Sequence, residues 1–251
     1  MGMIKIPDSS KEYFKNNLEE IYSSGNLAED KWNDKLSKYV MDLTGSRKAI
    51  VTNSNGAGIV ALLSIYKFYY NRSIVLIQSN TMYGVKTMVK ASGCKLGGYI
   101  ESQIETLMPS IKDIKTIINT ISDNQKRRLV ILLSHIGGII NPDIEQISKL
   151  CKKENIILIE DCAHSFGSTL NGKHSGLFGD AGVYSFYATK AIMAGEGGLV
   201  ITNNESIGGM VSKFSIYDRF DQKLEIGNNI RISEIQALFT YSIVMEWETI
   251  V

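Results

Sequence analysis

Cysteine is scarce in this chain, and the little present forms no pattern. The three cysteines are Cys94, Cys151 and Cys162. No two make a CxxC, and the number is odd. A disulfide framework and a zinc site held by cysteine pairs are both excluded as the organising feature, and a reducing compartment is expected. Only three prolines occur among 251 residues. With no low-complexity stretch and no internal repeat, nothing marks a linker. Charge of one sign is not in excess: Lys+Arg 27 stand against Asp+Glu 26. That balance excludes nucleic acid or an anionic membrane surface as the main partner. No apolar run reaches the length of a membrane span. The first ten residues lack the basic-then-apolar order of a signal peptide. A soluble, cytoplasmic protein is the expectation.

What the chain does have is a series of short apolar runs. They fall at 49–52, 74–77, 129–133, 156–159, 182–186 and 199–202. Rich in Val, Ile and Leu and without clear alternation, they suit strands buried on both faces, as in a parallel sheet. Helical patterns at 59–69, 83–91 and 144–153 lie between several of them. The fold class is therefore α/β, a three-layer sandwich with helices on both faces of a mostly parallel central sheet. Residues 10–23 carry apolar side chains at helical spacing. Ser233 reads as the N-cap of a last helix that runs towards Trp247. Ile235, Leu238, Tyr241, Ile243, Val244 and Trp247 give that helix more apolar surface than an isolated terminal helix should expose.

Five places carry candidate chemistry. Residues 184–190, Y-S-F-Y-A-T-K, end in Lys190, and G-E-G-G follows at 195–198. A bare buried ammonium is very costly, so a lysine in this setting needs a lowered pKa or covalent use. The apolar run at 156–159 ends in Glu160 and Asp161, at the strand end where open α/β sheets place ligands. A lysine and a carboxylate in this order suit pyridoxal 5'-phosphate (PLP). The lysine carries the cofactor as a Schiff base, and the carboxylate keeps the pyridine nitrogen protonated. Asp161 can equally be a strand-end turn or a helix cap. Glu160 should point to the opposite side. His164, three residues on, can face the same pocket or be a structural histidine. A zinc reading with Cys162 and His174 lacks a fourth ligand. Gly56, Ala57 and Gly58 open the helix after the first strand, where backbone amides bind phosphate. The same stretch fits a dinucleotide fingerprint through Gly56, Gly58 and Ala61. The acid that reading requires is absent, because the next strand ends in Gln78. Met82 and Tyr83 follow the second strand, where an aromatic ring could stack on a cofactor or simply pack.

At these residues the chain resembles the DegT/DnrJ/EryC1/StrS family of PLP-dependent sugar aminotransferases. Residues 159–164, I-E-D-C-A-H, look like the family's V-E-D-A-A followed by Q or H. Residues 176–180 resemble its G-x-F-G-D, residues 185–190 its S-F-x-x-x-K, and residues 195–198 its G-E-G-G. Residues 227–231 resemble its G-Y-N-Y-R, and His135 and Gly137 sit where it has V-H-x-x-G. The resemblance extends over about 24–246 and is most specific from 159 to 203.

The resemblance implies a fold-type I PLP enzyme and a homodimer with shared active sites. Lys190 would be the Schiff-base lysine, Asp161 the pyridinium partner, and His164 a contact of the phenolic oxygen. Gly56, Ala57 and Ser185 would hold the phosphate, and Asn229 would reach the phosphate of the neighbouring subunit's cofactor. Met82 takes the place of the family's stacking aromatic, with Tyr83 beside it. Lysine rather than histidine at 190 favours transamination over dehydration. The substrate would be a keto-sugar linked to a nucleotide, and the amine donor an amino acid, taken as glutamate. The pathway would make polysaccharide or a modified sugar.

Besides Met82 in place of the aromatic, two departures stand out. Ala57 lacks the hydroxyl of the family's phosphate cup. The family also continues into a C-terminal domain where this chain stops. Residues 1–24 are expected as an N-terminal helical segment, 25–232 as the PLP-binding domain, and 233–251 as the start of a truncated or missing domain. A catalytically impaired remnant and a nicotinamide-dependent enzyme are the alternative functions.

Overall fold

The computed structural model describes residues 5–217 and 224–250; positions 1–4 of the expected N-terminal segment and 251 at the far end lie outside them. Strands β1 (Lys48–Thr52), β2 (Ile74–Gln78), β3 (Lys95–Ile100), β4 (Leu129–Ser134) and β5 (Ile157–Cys162) come first. A small antiparallel pair, β6 (Thr169–Leu170) and β7 (Lys173–His174), precedes β8 (Ala181–Ser185) and β9 (Gly198–Thr202). Seven strands make one sheet in the order β1-β9-β8-β5-β4-β2-β3. β9 runs antiparallel to both neighbours, and every other pairing is parallel. The expected α/β three-layer sandwich is the observed architecture.

Alternation along each strand sorts the core into layers. Ile50, Val75, Ile77, Val130, Leu132, Ile159 and Val183 pack with α3 (Asn55–Tyr70), α4 (Tyr83–Ala91) and α8 (Glu205–Ser215). On the opposite face, Leu76, Ile131, Leu133 and Leu158 meet α5 (Ile111–Asn119) and α7 (Ile144–Lys153). Ala49, Val51, Tyr184, Leu199 and Ile201 meet α1 (Asp8–Ser24), α2 (Lys31–Thr44) and α9 (Glu234–Val244). Both faces of the strands are buried, which is why their sequences show runs rather than alternation. The short helices α6 (Asp123–Lys126) and α10 (Trp247–Ile250) are the remaining α-helices among the described residues. Among the described residues no helix is long and apolar enough to cross a membrane.

Three features differ from the sequence reading. α3 begins at Asn55 rather than 59, because the Ser54 hydroxyl accepts from the Ala57 amide at 3.0 Å and caps the helix early. β3 carries no apolar run, since it is an edge strand with Gly97 and Gly98 at its centre and is buried mainly at Ile100. The expected exposed face on the last helix is not there. Ala237, Leu238, Ile243 and Val244 are buried against α1 and α2, and Tyr241 packs with Tyr13, Trp32 and Tyr39 at ring-centroid distances of 5.8–5.9 Å. That apolar surface is covered within the chain.

Glu234 ties these helices together. It is 2% exposed. Its carboxylate accepts from the backbone amides of Asp30 at 2.9 Å, Trp32 at 2.7 Å and Asn33 at 3.1 Å, and from Asn33 Nδ2 at 2.6 Å. The amides at the start of α2 need an acceptor, and one from α9 supplies it. Glu234→Ala should leave them buried and unpaired and cost about 3 kcal/mol, with Glu234→Gln losing less. Urea unfolding of the two variants measures this. A loss below about 0.5 kcal/mol for the alanine would mean that water caps α2 equally well.

Candidate active site

The C-terminal ends of β4, β5 and β8 and the start of α3 converge on Asp161. The side chain is 6% exposed. Oδ1 accepts from Asn55 Nδ2 at 3.1 Å and from the Ala163 amide at 3.1 Å. Oδ2 accepts from the Ser134 hydroxyl at 3.0 Å. Each partner is delivered by the fold. Ser134 is in register with Asp161 on the adjacent strand. Asn55 is the first residue of α3, and its Nδ2 also donates to the Val183 carbonyl of β8 at 2.8 Å. A hydroxyl has one proton, and that of Ser134 goes to Asp161. The 2.8 Å contact between Thr81 Oγ1 and Ser134 Oγ therefore has Thr81 as donor. Two donors fill Oδ1, while Oδ2 keeps one open acceptor position.

Glu160 takes the opposite face of β5, as alternation requires. It accepts from the Gly176 and Gly179 amides at 2.9 and 2.6 Å and meets His135 Nε2 at 2.8 Å. His135 Nδ1 accepts from the Asn141 amide at 3.2 Å, so Nε2–H is the donor to Glu160. His135, Glu160 and Cys162 bring their ligand-type atoms within 4.8 Å of one another. All three are engaged in hydrogen bonds, and burial pushes the Cys162 thiol well up, away from the thiolate a metal needs.

Lys190 lies in the turn after β8, with its amide donating to the Tyr187 carbonyl at 2.9 Å. Its side chain is half-buried in one cleft with Asp161, His164, Ala163, Thr81 and Met82. Burial pushes the amine below the ordinary lysine value, and the Asp161 carboxylate pulls the other way. His164 is also held below its usual value, first by burial and then by the Lys190 charge, with Asp161 again opposing. The cleft thus contains Lys190, Asp161, His164 and Met82 from the expected set. Tyr83, 74% exposed, lines the neighbouring cavity.

Gly56 and Ala57 line a third cavity of about 380 Å³, together with Asn53 and Asn229. The Asn53 amide donates to the Ile230 carbonyl at 2.6 Å and holds the 228–230 segment beside α3 of the same chain. Ser185 ends β8 opposite Gly198, and its hydroxyl accepts from the Tyr187 amide at 3.3 Å. A Cβ on Gly198 would stand 2.3 Å from the Ser54 carbonyl carbon and 2.4 Å from the Asn55 nitrogen. Only glycine lets β9, and Ser185 with it, close on the helix start. The acid of the dinucleotide reading is missing here too. Gln78 is fully buried, with Oε1 accepting from the Ser134 amide at 3.0 Å.

Sequence reasoning missed Asn55 and Ser134 as partners of Asp161, and Thr81 as the partner of Ser134. Ser134 carried a signal, a polar residue closing an apolar run one strand from the aspartate.

The model of the DegT/DnrJ/EryC1/StrS aminotransferase family matches residues 8–245. The chain belongs to this family. Among family relatives, a Vibrio cholerae GDP-perosamine synthase is 32% identical over 161 residues, 64% of this chain and 41% of that protein. A Helicobacter pylori UDP-4-amino-4,6-dideoxy-N-acetyl-beta-L-altrosamine transaminase is 26% identical over 87% of this chain and 58% of its own length. The chain spans about half the length of the curated relatives it matches. The solved structure of Helicobacter pylori PseC, an aminotransferase of pseudoaminic acid biosynthesis, superposes with a TM-score of 0.84 at 22% identity. It covers 98% of this chain and 65% of the PseC chain, and it shows the shared fold.

The charge coupling in the cleft is testable. Replacing Lys190 by methionine removes a cation that holds His164 down, so the His164 titration midpoint should rise. NMR titration of the imidazole measures it. An unchanged or lower midpoint would show that the two groups do not share the cleft.

Proposed function

We propose that this chain is the cofactor-binding domain of a PLP-dependent aminotransferase acting on a nucleotide-linked keto-sugar. The domain is read as residues 25–232, with 1–24 as its N-terminal segment. The supporting observation is the pairing, in one cleft, of a half-buried amine with a carboxylate oxygen that keeps one open acceptor position. That donor set fits PLP, the cofactor the family implies. The pyridine N–H needs an anionic acceptor, and the aldehyde needs a lysine poised towards its neutral form.

When bound, the cofactor supplies the electron sink for breaking a bond at the amine-bearing carbon. The chain's residues do the rest. Asp161 Oδ2 would accept the ring N–H, and Asn55, Ser134 and the Ala163 amide fix the carboxylate in place. Lys190 Nζ, lowered by burial, would hold the cofactor through its aldehyde carbon with loss of water, and its free amine would take the proton from the amine-bearing carbon of the donor. His164, also lowered by burial, would face the phenolic oxygen. Met82 would cover the ring. Gly56, Ala57 and Ser185 would serve the phosphate around the α3 start, and Asn229 the phosphate of the neighbouring subunit's cofactor. The donor is an amino acid, taken as glutamate, and the acceptor carbon is the keto carbon of the sugar. A homodimer in the cytoplasm completes the proposal; the three thiols are free and buried.

Incubation with PLP followed by borohydride and peptide mapping should place the phosphopyridoxyl group on Lys190. Label on another lysine, or on none, overturns the assignment. Asp161→Asn should still take up PLP but slow the half-reaction with the amino-acid donor by about 100-fold. Stopped-flow absorbance reads the rate, and a variant as fast as the parent would remove Asp161 from the mechanism.

A further inference from the structure

Lys190 sits in the connection 186–197 between β8 and β9, which has no helix or strand of its own. Phe186, Ile192 and Ala194 are buried and anchor it. Backbone bonds brace its two arms against each other. The Phe186 amide donates to the Gly197 carbonyl at 2.9 Å and the Ala188 amide to the Gly195 carbonyl at 3.0 Å, while the Ala194 amide donates to the Phe186 carbonyl at 2.8 Å. The first two bonds continue the antiparallel β8–β9 pairing past its last rung, Ser185 with Gly198. The second arm turns through Gly195 at φ +82° and Gly197 at φ +143°. Glycines reach this region without strain, and they also lose the most freedom when the arm is ordered. The arm that leads into Lys190 is therefore only as fixed as residues 194–197 beside it.

A side chain from outside the connection pins that second arm. Gln236, in the first turn of α9, places Nε2 at 2.6 Å from the Ala194 carbonyl oxygen and 2.7 Å from the Glu196 carbonyl oxygen. Both neighbours are acceptors, so the amide nitrogen has to face them, and its two hydrogens serve one carbonyl each. The carbonyls of this arm thus alternate. Those of 194 and 196 point to Gln236, and those of 195 and 197 point to the arm that leads into Lys190. An extended segment with a neighbour on each side has this pattern, and here one glutamine stands in for the second neighbour. Its own base is firm. Ser233 Oγ accepts from the Gln236 amide at 3.2 Å, the Thr240 hydroxyl donates to the Gln236 carbonyl at 2.8 Å, and Glu234 ties the same helix turn to α2.

We propose that Gln236 is a positioning residue for Lys190, an inference that rests on the aminotransferase reading above. Gln236 is not among the residues that line the Lys190 cleft, so its effect passes through the backbone. It fixes 194 and 196; the carbonyls between and beyond them, 195 and 197, fix the amides of 188 and 186; and Lys190 follows two residues on, with its own amide on the Tyr187 carbonyl. With the edge pinned, the Lys190 amine stays at the depth where burial favours its neutral, nucleophilic form. Without the pin, the glycine arm opens, the lysine arm loses its brace, and water reaches the amine. A reacting group moved by a fraction of an ångström loses much of its reactivity.

The test compares Gln236→Met and Gln236→Glu with the parent, all as the full chain. Methionine keeps the length and removes the donors, and glutamate sets a carboxylate against two carbonyl oxygens. Hydrogen exchange without PLP should show the Phe186 and Ala188 amides opening about tenfold faster in the methionine variant, and faster still with glutamate. The Trp32 and Asn33 amides, held by Glu234, should exchange as in the parent. With PLP and borohydride, labelling of Lys190 should slow about tenfold. Its pH midpoint should rise towards that of a free lysine, because burial is the main cause that lowers the amine. Asp161, His164 and His135, the titratable groups that share the cleft with Lys190, are the same in all three proteins. A role in packing alone would leave methionine as good as glutamine, and thermal unfolding confirms that the variants are folded. Exchange at 186 and 188 as slow as in the parent, or Lys190 labelled at the parent's rate and midpoint, overturns the proposal. If the parent's Lys190 takes no label, the aminotransferase reading has failed instead, and the exchange rates still decide whether Gln236 fixes the lysine arm.

Discussion

Two adjacent carboxylates, Glu160 and Asp161, end β5 inside the protein, and much of the structure answers the need to satisfy them. A buried carboxylate without donors costs several kcal/mol or takes up a proton. Because a strand sends consecutive side chains to opposite faces, the two must be satisfied from different layers. Glu160 takes its donors from the 176–179 turn and from His135. Asp161 takes its own from α3, β4 and the backbone just past β5. The parallel register of β4 with β5, the early start of α3 and the close approach of β9 at Gly198 all act on this one strand end.

That arrangement also separates structure from chemistry. Every polar atom of the Glu160–His135 pair is committed, and the pair is wholly buried. Asp161 is satisfied on one oxygen and has room on the other, and it faces the cleft. The neighbouring amine and imidazole are both held away from their charged forms by burial. A rigid acceptor next to a partly desolvated amine would suit the protonated ring nitrogen and the carbonyl carbon of the proposed cofactor.

The sequence made the sheet and the lysine–aspartate pair legible because both are local patterns. Apolar runs announce doubly buried strands, and the G-E-G-G turn follows a strand directly. What it hid was relational. β3 has no apolar signature because one side of an edge strand meets solvent and its glycines serve a bulge. α2 escaped notice because its cap, Glu234, lies some two hundred positions away along the chain. The partners of Asp161 escaped because Asn55 and Ser134 look ordinary until register places them beside it. The burial of α9 was misread for the same reason, since α1 and α2, which cover it, lie some two hundred residues earlier in the sequence.

The reach of Glu234 back to residues 30–33 bears on how the chain assembles during synthesis. Among the described residues β1 has only β9 as a partner in the sheet, and the amides at the start of α2 take their side-chain acceptor from α9. The first fifty residues therefore leave the ribosome with neither a strand to pair with nor an acceptor for their helix start. The central parallel strands can pair as they emerge, but the N-terminal segment has to wait for residues 198–234. Closure of the domain is thus a late, long-range event that joins residues 30–52 to residues 198–234.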